Sequence, residues 1–549
     1  MAAPKSRRWP SAKLTKSPLF CAVDLRDGNQ ALPVPLHAEQ KQQYFDLLTS
    51  LGFKEIEVGF PAASTEEWNF CRSLVKQHRI PEDVTISVLT MAREEVLRRT
   101  FEALKGVRNA ICHIYIPTSD LHVKYVLGVN RAQLKRRLLE CVALAKKLSN
   151  AMKDSHIRLE FSPEEFTDSD IDFVADLCDC VAEEWGATPK EKVIINLPCT
   201  VERALPTHYA DMLEAFQERV RHLDSMVLSL HTHNDMGCAV ATAELGLLAG
   251  AQRVEGTLFG NGERAGNMDL VTLALNLQYL GLDTGLDFSN LEAISAEVSR
   301  LTSMPVHPRQ PYAGSLVFTA FSGSHQDAIY KGLANADNLR KKFKGWKIPY
   351  LHINPADIGR KFEREIRITS QSGKGGIAYV LENSYGIHLP PNLLAELSVS
   401  VKQETERTGF ELTPDRIWDI FLATFYRQDA PIRLVNYWPR PDVEDPNKIH
   451  SEVHIAYKGR TRILEGEGDG PVSAFAEALR KMKLPEFKLL KYEEHSIGMT
   501  VNAESFTIMS LQHVASGEVF YGIGFGVNIV QGAARAMVSS LNRMIAAEK

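Results

Sequence analysis

The chain has 549 residues, with 63 Lys and Arg against 68 Asp and Glu for a formal net charge of −5, and 44% of it is hydrophobic. That length exceeds one ordinary core, so roughly two to four domains are expected. The interspersed charge excludes a nucleic-acid surface, and no apolar run approaches the ~20 residues that span a bilayer. All 8 cysteines fall at or before Cys238 without a C-x-x-C pair, which points to buried free thiols in a reducing compartment.

Lys5, Arg7, Arg8, Lys13 and Lys16 precede the first acidic residue, Asp24. Residues 1–17 read as a flexible tail, with an organellar transit peptide as the alternative. The expected location is therefore cytoplasmic, and mitochondrial only if that segment is a transit peptide. Short β-branched or aromatic runs follow at Leu19–Leu25, Glu55–Phe60, Val84–Thr90, Ala110–Pro117, Ile157–Phe161, Lys192–Leu197, Val227–Leu230 and Arg253–Phe259. Between them lie amphipathic stretches such as Glu39–Leu51, Arg131–Leu148 and Thr207–Val220, apolar at helical spacing. Eight strands alternating with helices over about 250 residues is the count for an α/β fold of the (β/α)8 TIM barrel type, here spanning 18–314. A doubly wound open sheet is the runner-up, but no G-x-G-x-x-G follows the first strand.

The seventh run ends in His231-Thr-His233-Asn-Asp. Strand side chains alternate between faces, so the two imidazoles point the same way and make half of a divalent-metal site. A lone strand histidine is more often a satisfied structural residue; the cluster at a strand end favours metal or catalysis. Imidazole with carboxylate and amide oxygens suits Mg, Mn or Zn. The other strand ends carry Arg26 and Asp27, His113, Ser162 and Glu164, Asn196 and Thr200, and Glu263, Arg264 and Asn267. Barrel closure sets the first strand beside the eighth and the eighth beside the seventh, so Asp27 and Asn267 reach a metal at the histidine pair. The plainer reading of Arg26 and Asp27 is a capping or surface ion pair.

Past the barrel, Leu316–Asp327 and Trp346–Asp357 read as connecting subdomains within 315–430. There His325 reads as a surface residue, and Arg340, Lys341, Lys342, Lys344 and Lys347 as a solvated basic face. Ala378–Tyr385 and Pro391–Thr408 read as helices. Strands are expected at Ile449–Tyr457 and Arg462–Glu467, then a helix at Gly470–Met482. Strands at Phe487–Tyr492, Ser505–Gln512 and Glu518–Phe525 precede a last helix, Asn528–Ala547. Residues 431–549 thus form an α+β domain of duplicated βββα units. Its turn Gly466–Gly470 either holds a ligand carboxylate on helix N–H groups or is only a tight turn.

The motifs LRDGNQA (Leu25–Ala31), GFKEIEVGFPAAS (Gly52–Ser64), NLPCTVE (Asn196–Glu202), HTHNDMG (His231–Gly237), GNGERAGN (Gly260–Asn267), FSGSHQDAI (Phe321–Ile329) and SQSGKGG (Ser370–Gly376) together resemble the 2-isopropylmalate synthase family. That family joins acetyl-CoA to a 2-oxo acid and is related to homocitrate and citramalate synthases. The resemblance implies a divalent metal on Asp27, His231, His233 and Asn267, Mg before Mn or Zn, and admits K+ as an activator. It implies that Arg26 stabilises the enolate, that Thr200 binds the oxo-acid carboxylate, and that Glu164 and His325 assist proton transfer. It also implies that His325 is supplied by the other chain of a homodimer, against its reading as a surface residue, and that Tyr350 serves catalysis and regulation. Leu89, His113, Tyr115, Ser162, Asn196 and Pro198 would accept the branched side chain of 2-oxoisovalerate. The domain 431–549 would be regulatory, binding leucine near Gly468, Gly470, Ser473 and Asn528. Two departures fall in that domain: Tyr521-Gly522-Ile523-Gly524 replaces the family's usual Trp-Gly-x-Gly, and Asn528–Ala534 lacks its hydroxyl residues. Competing readings are a citramalate-, homocitrate- or arylmalate-forming enzyme, a metal-dependent aldolase or carboxylase subunit on the same barrel, and a catalytically idle amino-acid sensor. No nucleic-acid or membrane partner is expected.

Overall fold

The computed structural model describes residues 4–343, 345–362, 374–408, 412–429, 431–497 and 504–548. It divides into two compact units, Met1–Phe318 with Ile353–Phe362, and Thr319–His352 with Glu363–Lys549.

The first unit is a closed barrel of parallel strands in sequence order. The strands are β1 (Leu19–Ala22), β2 (Glu55–Gly59), β3 (Thr85–Met91), β4 (Asn109–Pro117), β5 (His156–Glu164), β6 (Val193–Cys199), β7 (Met226–Thr232) and β8 (Arg253–Gly256). Around them run α1 (Ala38–Ser50), α2 (Thr65–Lys76), α3 (Glu94–Leu104), α4 (Arg131–Ala151), α5 (Ile171–Trp185), α6 (Pro206–Gln217), α7 (Ala239–Leu248) and α8 (Leu270–Tyr279), followed by α9 (Leu291–Thr302). Side-chain caps start several of these helices: Ser64 on α2, Asn130 on α4 and Asp170 on α5 each accept a backbone N–H of the first turn. β1 is shorter than expected because Asp24–Gly28 forms a wide turn in which the Gly28 N–H donates to the Val23 carbonyl. That turn lifts Arg26 and Asp27 out of strand register.

The barrel interior is charged. Arg253, fully buried, donates to Glu55 at 2.6 Å, Glu160 at 2.9 Å, Glu255 at 2.7 Å and the Ser229 hydroxyl at 2.8 Å. Glu55 and Glu160 belong to strands that do not neighbour β8, so one guanidinium ties the barrel across its bore.

Within the expected tail, residues 5–9 are tethered to the barrel unit. Arg7 donates to Asp211 of α6 at 2.6 and 2.8 Å, and the Trp9 indole to the same carboxylate at 2.9 Å. Glu214 accepts the Arg8 and Trp9 backbone N–H groups, and Glu218 that of Lys5. Of the basic residues that suggested a transit peptide, Arg7 and Arg8 thus pair with acids of α6, Asp211 and Glu214. No helix among the described residues is long and apolar enough to cross a membrane.

The second unit holds α10 (Gly323–Ala334), α11 (Ala336–Phe343), α12 (Lys374–Tyr385), α13 (Pro391–Thr408) and α14 (Pro414–Phe425). The motif Ser370–Gly376 lies outside the described residues as far as residue 373, as does Lys344 of the basic cluster. Two βββα repeats follow: β9 (Ile432–Pro441), β10 (Ile449–Tyr457), β11 (Arg460–Gly468) and α15 (Pro471–Arg480), then β12 (Phe487–Ile497), β13 (Glu504–His513), β14 (Val519–Gly526) and α16 (Ile529–Ala547). Their sheets run β11-β10-β9 and β12-β13-β14. β9 escaped the sequence reading because Pro439 and Pro441 interrupt it; at a sheet edge a missing N–H is tolerated. Helices α12–α14 share one core with the second sheet, where Leu393, Leu397, Phe421 and Phe425 pack on Phe506, Ile508 and Ile523. A boundary at 431 therefore cuts through a core. A second difference is that Ile353–Phe362, expected in the connecting region, belongs to the barrel unit, where Arg360 donates to the carbonyls of Ala313 and Gly314.

Replacing Arg253 by Met removes the guanidinium and strands three carboxylates in the bore. The barrel is expected to lose about 3–5 kcal/mol of stability, read as an earlier first transition in thermal or urea unfolding; an unchanged transition would contradict the description.

Candidate active site

At the carboxyl ends of the strands a cavity of about 250 Å³ opens, lined by Arg26, Asp27, Gln30, Phe60, Leu89, His113, Tyr115, Ser162, Glu164, Asn196, Pro198, Thr200, His231, His233, Glu263 and Arg264. This is the face on which barrel enzymes place their sites. Of the strand-end residues singled out from sequence, those given a metal, catalytic or substrate role line it except Asn267, which is bridged to His233, whereas Asp24, Pro61, Thr90, Thr118, Ser119 and Asn261 are not part of the lining. Gln30 and Phe60 were not anticipated.

Asp27 and His231 approach to 3.3 Å, His231 and His233 to 3.2 Å through their Nε2 atoms, and His233 and Asp27 to 3.8 Å. Asn267 lies in the β8 loop, whose glycines make room for it: a Cβ on Gly262 would fall 2.2 Å from the Asn267 amide. Asn267 Nδ2 donates to the Asn261 carbonyl at 3.1 Å, which leaves its Oδ1 as the free end.

Several observations fit a divalent cation to this corner. Asp27 Oδ2 and Asn267 Oδ1 are buried without a hydrogen-bond partner, and buried oxygens in that state demand one. His231 presents Nδ1 to Glu255 at 3.0 Å, which fixes the tautomer and leaves the Nε2 lone pair facing Asp27 and His233. Burial opposes charge on His231, yet Asp27 and Glu255 raise its pKa to about 9, while burial and the adjacent His231 push His233 down to about 3. Burial would also raise Asp27, but Arg26 and His231 hold it well below the usual carboxylate range. The other buried His and acid cluster, His113 with Glu160 and Glu255, is no rival: both ring nitrogens of His113 are engaged, by Glu57 and Ser162, and Arg253 already sits against both carboxylates.

Below the corner, Glu57 accepts Arg26 Nε at 2.5 Å and meets His113 Nδ1 at 2.6 Å. His113 Nε2 meets the Ser162 hydroxyl at 2.7 Å, and Asn196 donates to Ser162 and to Glu255 at 3.0 and 2.9 Å. Glu57, Glu160, Glu255 and Arg253 were missed from sequence. Their signal was present: E-I-E in β2, R-L-E in β5 and R-V-E in β8 place charges at alternate positions of otherwise apolar strands, and an inward strand charge must find a partner. Glu164 is raised by burial above its ordinary value, which makes its carboxylate a better base.

Leu89, Tyr115, Phe60 and Pro198 give the cavity an apolar side. Its two lining guanidiniums are taken, Arg26 by Glu57 and Asp27 and Arg264 by Asp235 at 2.7 Å. In the second unit His325 and Tyr350 are brought together: their rings stack at 4.0 Å and 21°, and Tyr350 is 63% exposed with φ +61°.

The residues proposed for an effector are occupied by local structure. Gly470 caps α15, where the Ser473 hydroxyl accepts the Gly470 N–H at 3.0 Å, and Asn528 caps α16 through the Gln531 N–H at 2.9 Å. The glycines before each helix let it lie on the sheet: a Cβ on Gly524 would stand 2.1 Å from the Gly532 carbonyl oxygen, and one on Gly466 2.1 Å from that of Ala474.

Residues 17–298 match the HMGL-like family model. Residues 315–382 match "Alpha-isopropylmalate synthase, post-catalytic domain-like", and residues 411–545 match "LeuA allosteric (dimerisation) domain". The 2-isopropylmalate synthase of Ralstonia nicotianae is 45% identical over 98% of this chain and 93% of its own. That of Clostridium acetobutylicum is 43% identical over 98% and 97%, and that of Rhodospirillum rubrum 44% identical over 98% and 96%.

His231→Ala and Asp27→Ala should each weaken Mn2+ binding more than about a hundredfold, since each removes a quarter of the donor set, with circular dichroism unchanged. Unaltered Mn2+ affinity in calorimetry of either variant would remove it from the site.

Proposed function

The chain belongs to the 2-isopropylmalate synthase family, and on that premise we propose that it condenses acetyl-CoA with 2-oxoisovalerate and water to give 2-isopropylmalate and CoA. The observation that carries the reading is the cavity itself. Asp27, His231, His233, Arg26, Glu164 and Thr200 line it together with the apolar side chains of Leu89, Phe60 and Pro198 and the ring of Tyr115. At about 250 Å³ it stands at the small end of ligand sites, which run roughly 300–1,000 Å³, and suits a short branched acid. A 2-oxoglutarate reading needs a cation for the distal carboxylate, and both lining guanidiniums are already paired. An idle sensor would have no use for a donor set of this kind, and an aldolase or carboxylase reading leaves the C-terminal repeats unexplained.

A divalent cation on Asp27, His231, His233 and Asn267, most simply Mg2+, would polarise the oxo acid's ketone and offset the alkoxide charge that carbon–carbon bond formation creates. Thr200 offers its hydroxyl to the oxo-acid carboxylate. Arg26, held by Glu57 and Asp27, would offset the charge that the thioester oxygen gains as the acetyl methyl group loses a proton. Glu164, raised by burial, is placed to move that proton. His325 and Tyr350, stacked in the second unit, would serve the same chemistry from the other chain of a homodimer. The C-terminal repeats would bind leucine as a distant inhibitor, a coupling of typically ~1–3 kcal/mol. The reading carries a cytoplasmic location.

CoA thiol release with a panel of oxo acids should be fastest with 2-oxoisovalerate, ahead of pyruvate, 2-oxoglutarate and aryl oxo acids. Release that is faster with another acid, or absent with all, would overturn the assignment. Arg26→Gln should lower kcat on the order of 10²–10³-fold with Mn2+ still bound; wild-type turnover would remove Arg26 from catalysis. Mixing inactive Asp27→Ala and His325→Ala chains should restore part of the activity, and demonstrated subunit exchange without recovery would confine His325 to its own chain. Leucine should inhibit and release heat on titration, weakly because Val530–Ala534 lacks hydroxyl partners. No heat and no inhibition would make the repeats a scaffold only.

A further inference from the structure

The turn after β5 stores backbone strain directly beside Glu164, and the chemistry above makes no use of it. Glu165 has φ +59° and ψ +37°, the left-handed region that a side chain with a Cβ enters against steric resistance. Glycine would adopt it freely, yet the position carries a carboxylate. That carboxylate is held on one side of β5: the Ser119 hydroxyl donates to it and His122 Nδ1 lies 3.4 Å away. The Glu165 N–H donates to Thr200 Oγ1 at 2.9 Å on the other side, and its carbonyl accepts the Ser169 hydroxyl at 2.7 Å. The Glu164 carbonyl accepts both the N–H and the hydroxyl of Thr118, each at 3.0 Å. The peptide joining Glu164 to Glu165 is therefore pinned from the ends of both neighbouring strands, β4 and β6.

Two consequences meet in the cavity. Glu164 lines it, and the direction of its side chain is set by a peptide that is held from both sides. Thr200 also lines it, and because its oxygen accepts the Glu165 N–H, its single proton is left for a ligand. We propose that Glu165 is a positioning residue: clamped by Ser119 and His122, its left-handed turn aims the Glu164 carboxylate and the Thr200 hydroxyl at the substrate. The inference rests on the roles proposed above for Glu164 and Thr200. Strain retained beside a reacting group, where the surroundings over-determine it, is the expected signature of such a device.

The test is steady-state kinetics and thermal melting of the full-length Glu165→Gly, Glu165→Gln and Ser119→Ala enzymes. Glycine accepts the turn but loses the clamp, so melting should hold while kcat falls about tenfold to a hundredfold and KM for acetyl-CoA stays within about twofold. Glutamine keeps an acceptor for Ser119 and should recover kcat to within about threefold of wild type. Ser119→Ala releases the clamp without touching the strained residue and should lose a similar factor. The Ser119→Ala/Glu165→Gly double variant should lose no more than the glycine variant alone, since both remove one interaction. Wild-type kcat in Glu165→Gly overturns the inference, as do losses that multiply in the double variant. Glu164→Gln separates the two levels: full activity there refutes the role of Glu164, whereas an inactive Glu164→Gln beside a fully active Glu165→Gly refutes only the positioning.

Discussion

One buried guanidinium sets the terms for the barrel. Arg253 reaches from β8 across the bore to Glu55 and Glu160, and along its own strand to Glu255. Glu255 in turn orients His231 and Asn196. The guanidinium that ties the barrel across its bore thus also holds the carboxylate that orients His231, the imidazole proposed as a metal ligand. Burial and the adjacent Glu255 raise Glu160 well above a normal carboxylate, against the pull of Arg253. Burial would raise Asp27, Glu55, Glu57 and Glu255 too, but their cationic partners hold them ionised. The guanidiniums of Arg26, Arg158 and Arg253 face these carboxylates.

The floor of the cavity is a hydrogen-bonded chain from Glu57 through His113, Ser162 and Asn196 to Glu255. Within that chain Asn196 Oδ1 is left without a hydrogen-bond partner.

Much of the barrel was legible because periodicity is a local property: alternating strands and helices, and His231 and His233 two residues apart, can be read without knowing what lies opposite. Asp27 and Asn267 were legible only through closure, which makes distant strand ends neighbours. What escaped depended on tertiary context. Glu55, Glu57, Glu160 and Arg253 look like interruptions of strands until the bore pairs them, and the strain at Glu165 is invisible in residue type. The N-terminal basic residues read as a tail because the acidic face of α6 that receives them lies about 200 residues away in sequence. β9 hid behind its edge prolines, and the change of texture near 431 does not mark the edge of a core, because α12–α14 share theirs with β13 and β14.

The most direct test of the central claim is Mn2+ calorimetry on Glu255→Gln and Glu255→Ala, which leave all four donors in place. If the Arg253–Glu255 ladder orients His231 for the cation, both variants should bind Mn2+ about tenfold to a hundredfold more weakly, alanine more so than glutamine. Wild-type affinity in Glu255→Ala would show that the barrel's charge network and its metal corner are independent, and would contradict the account.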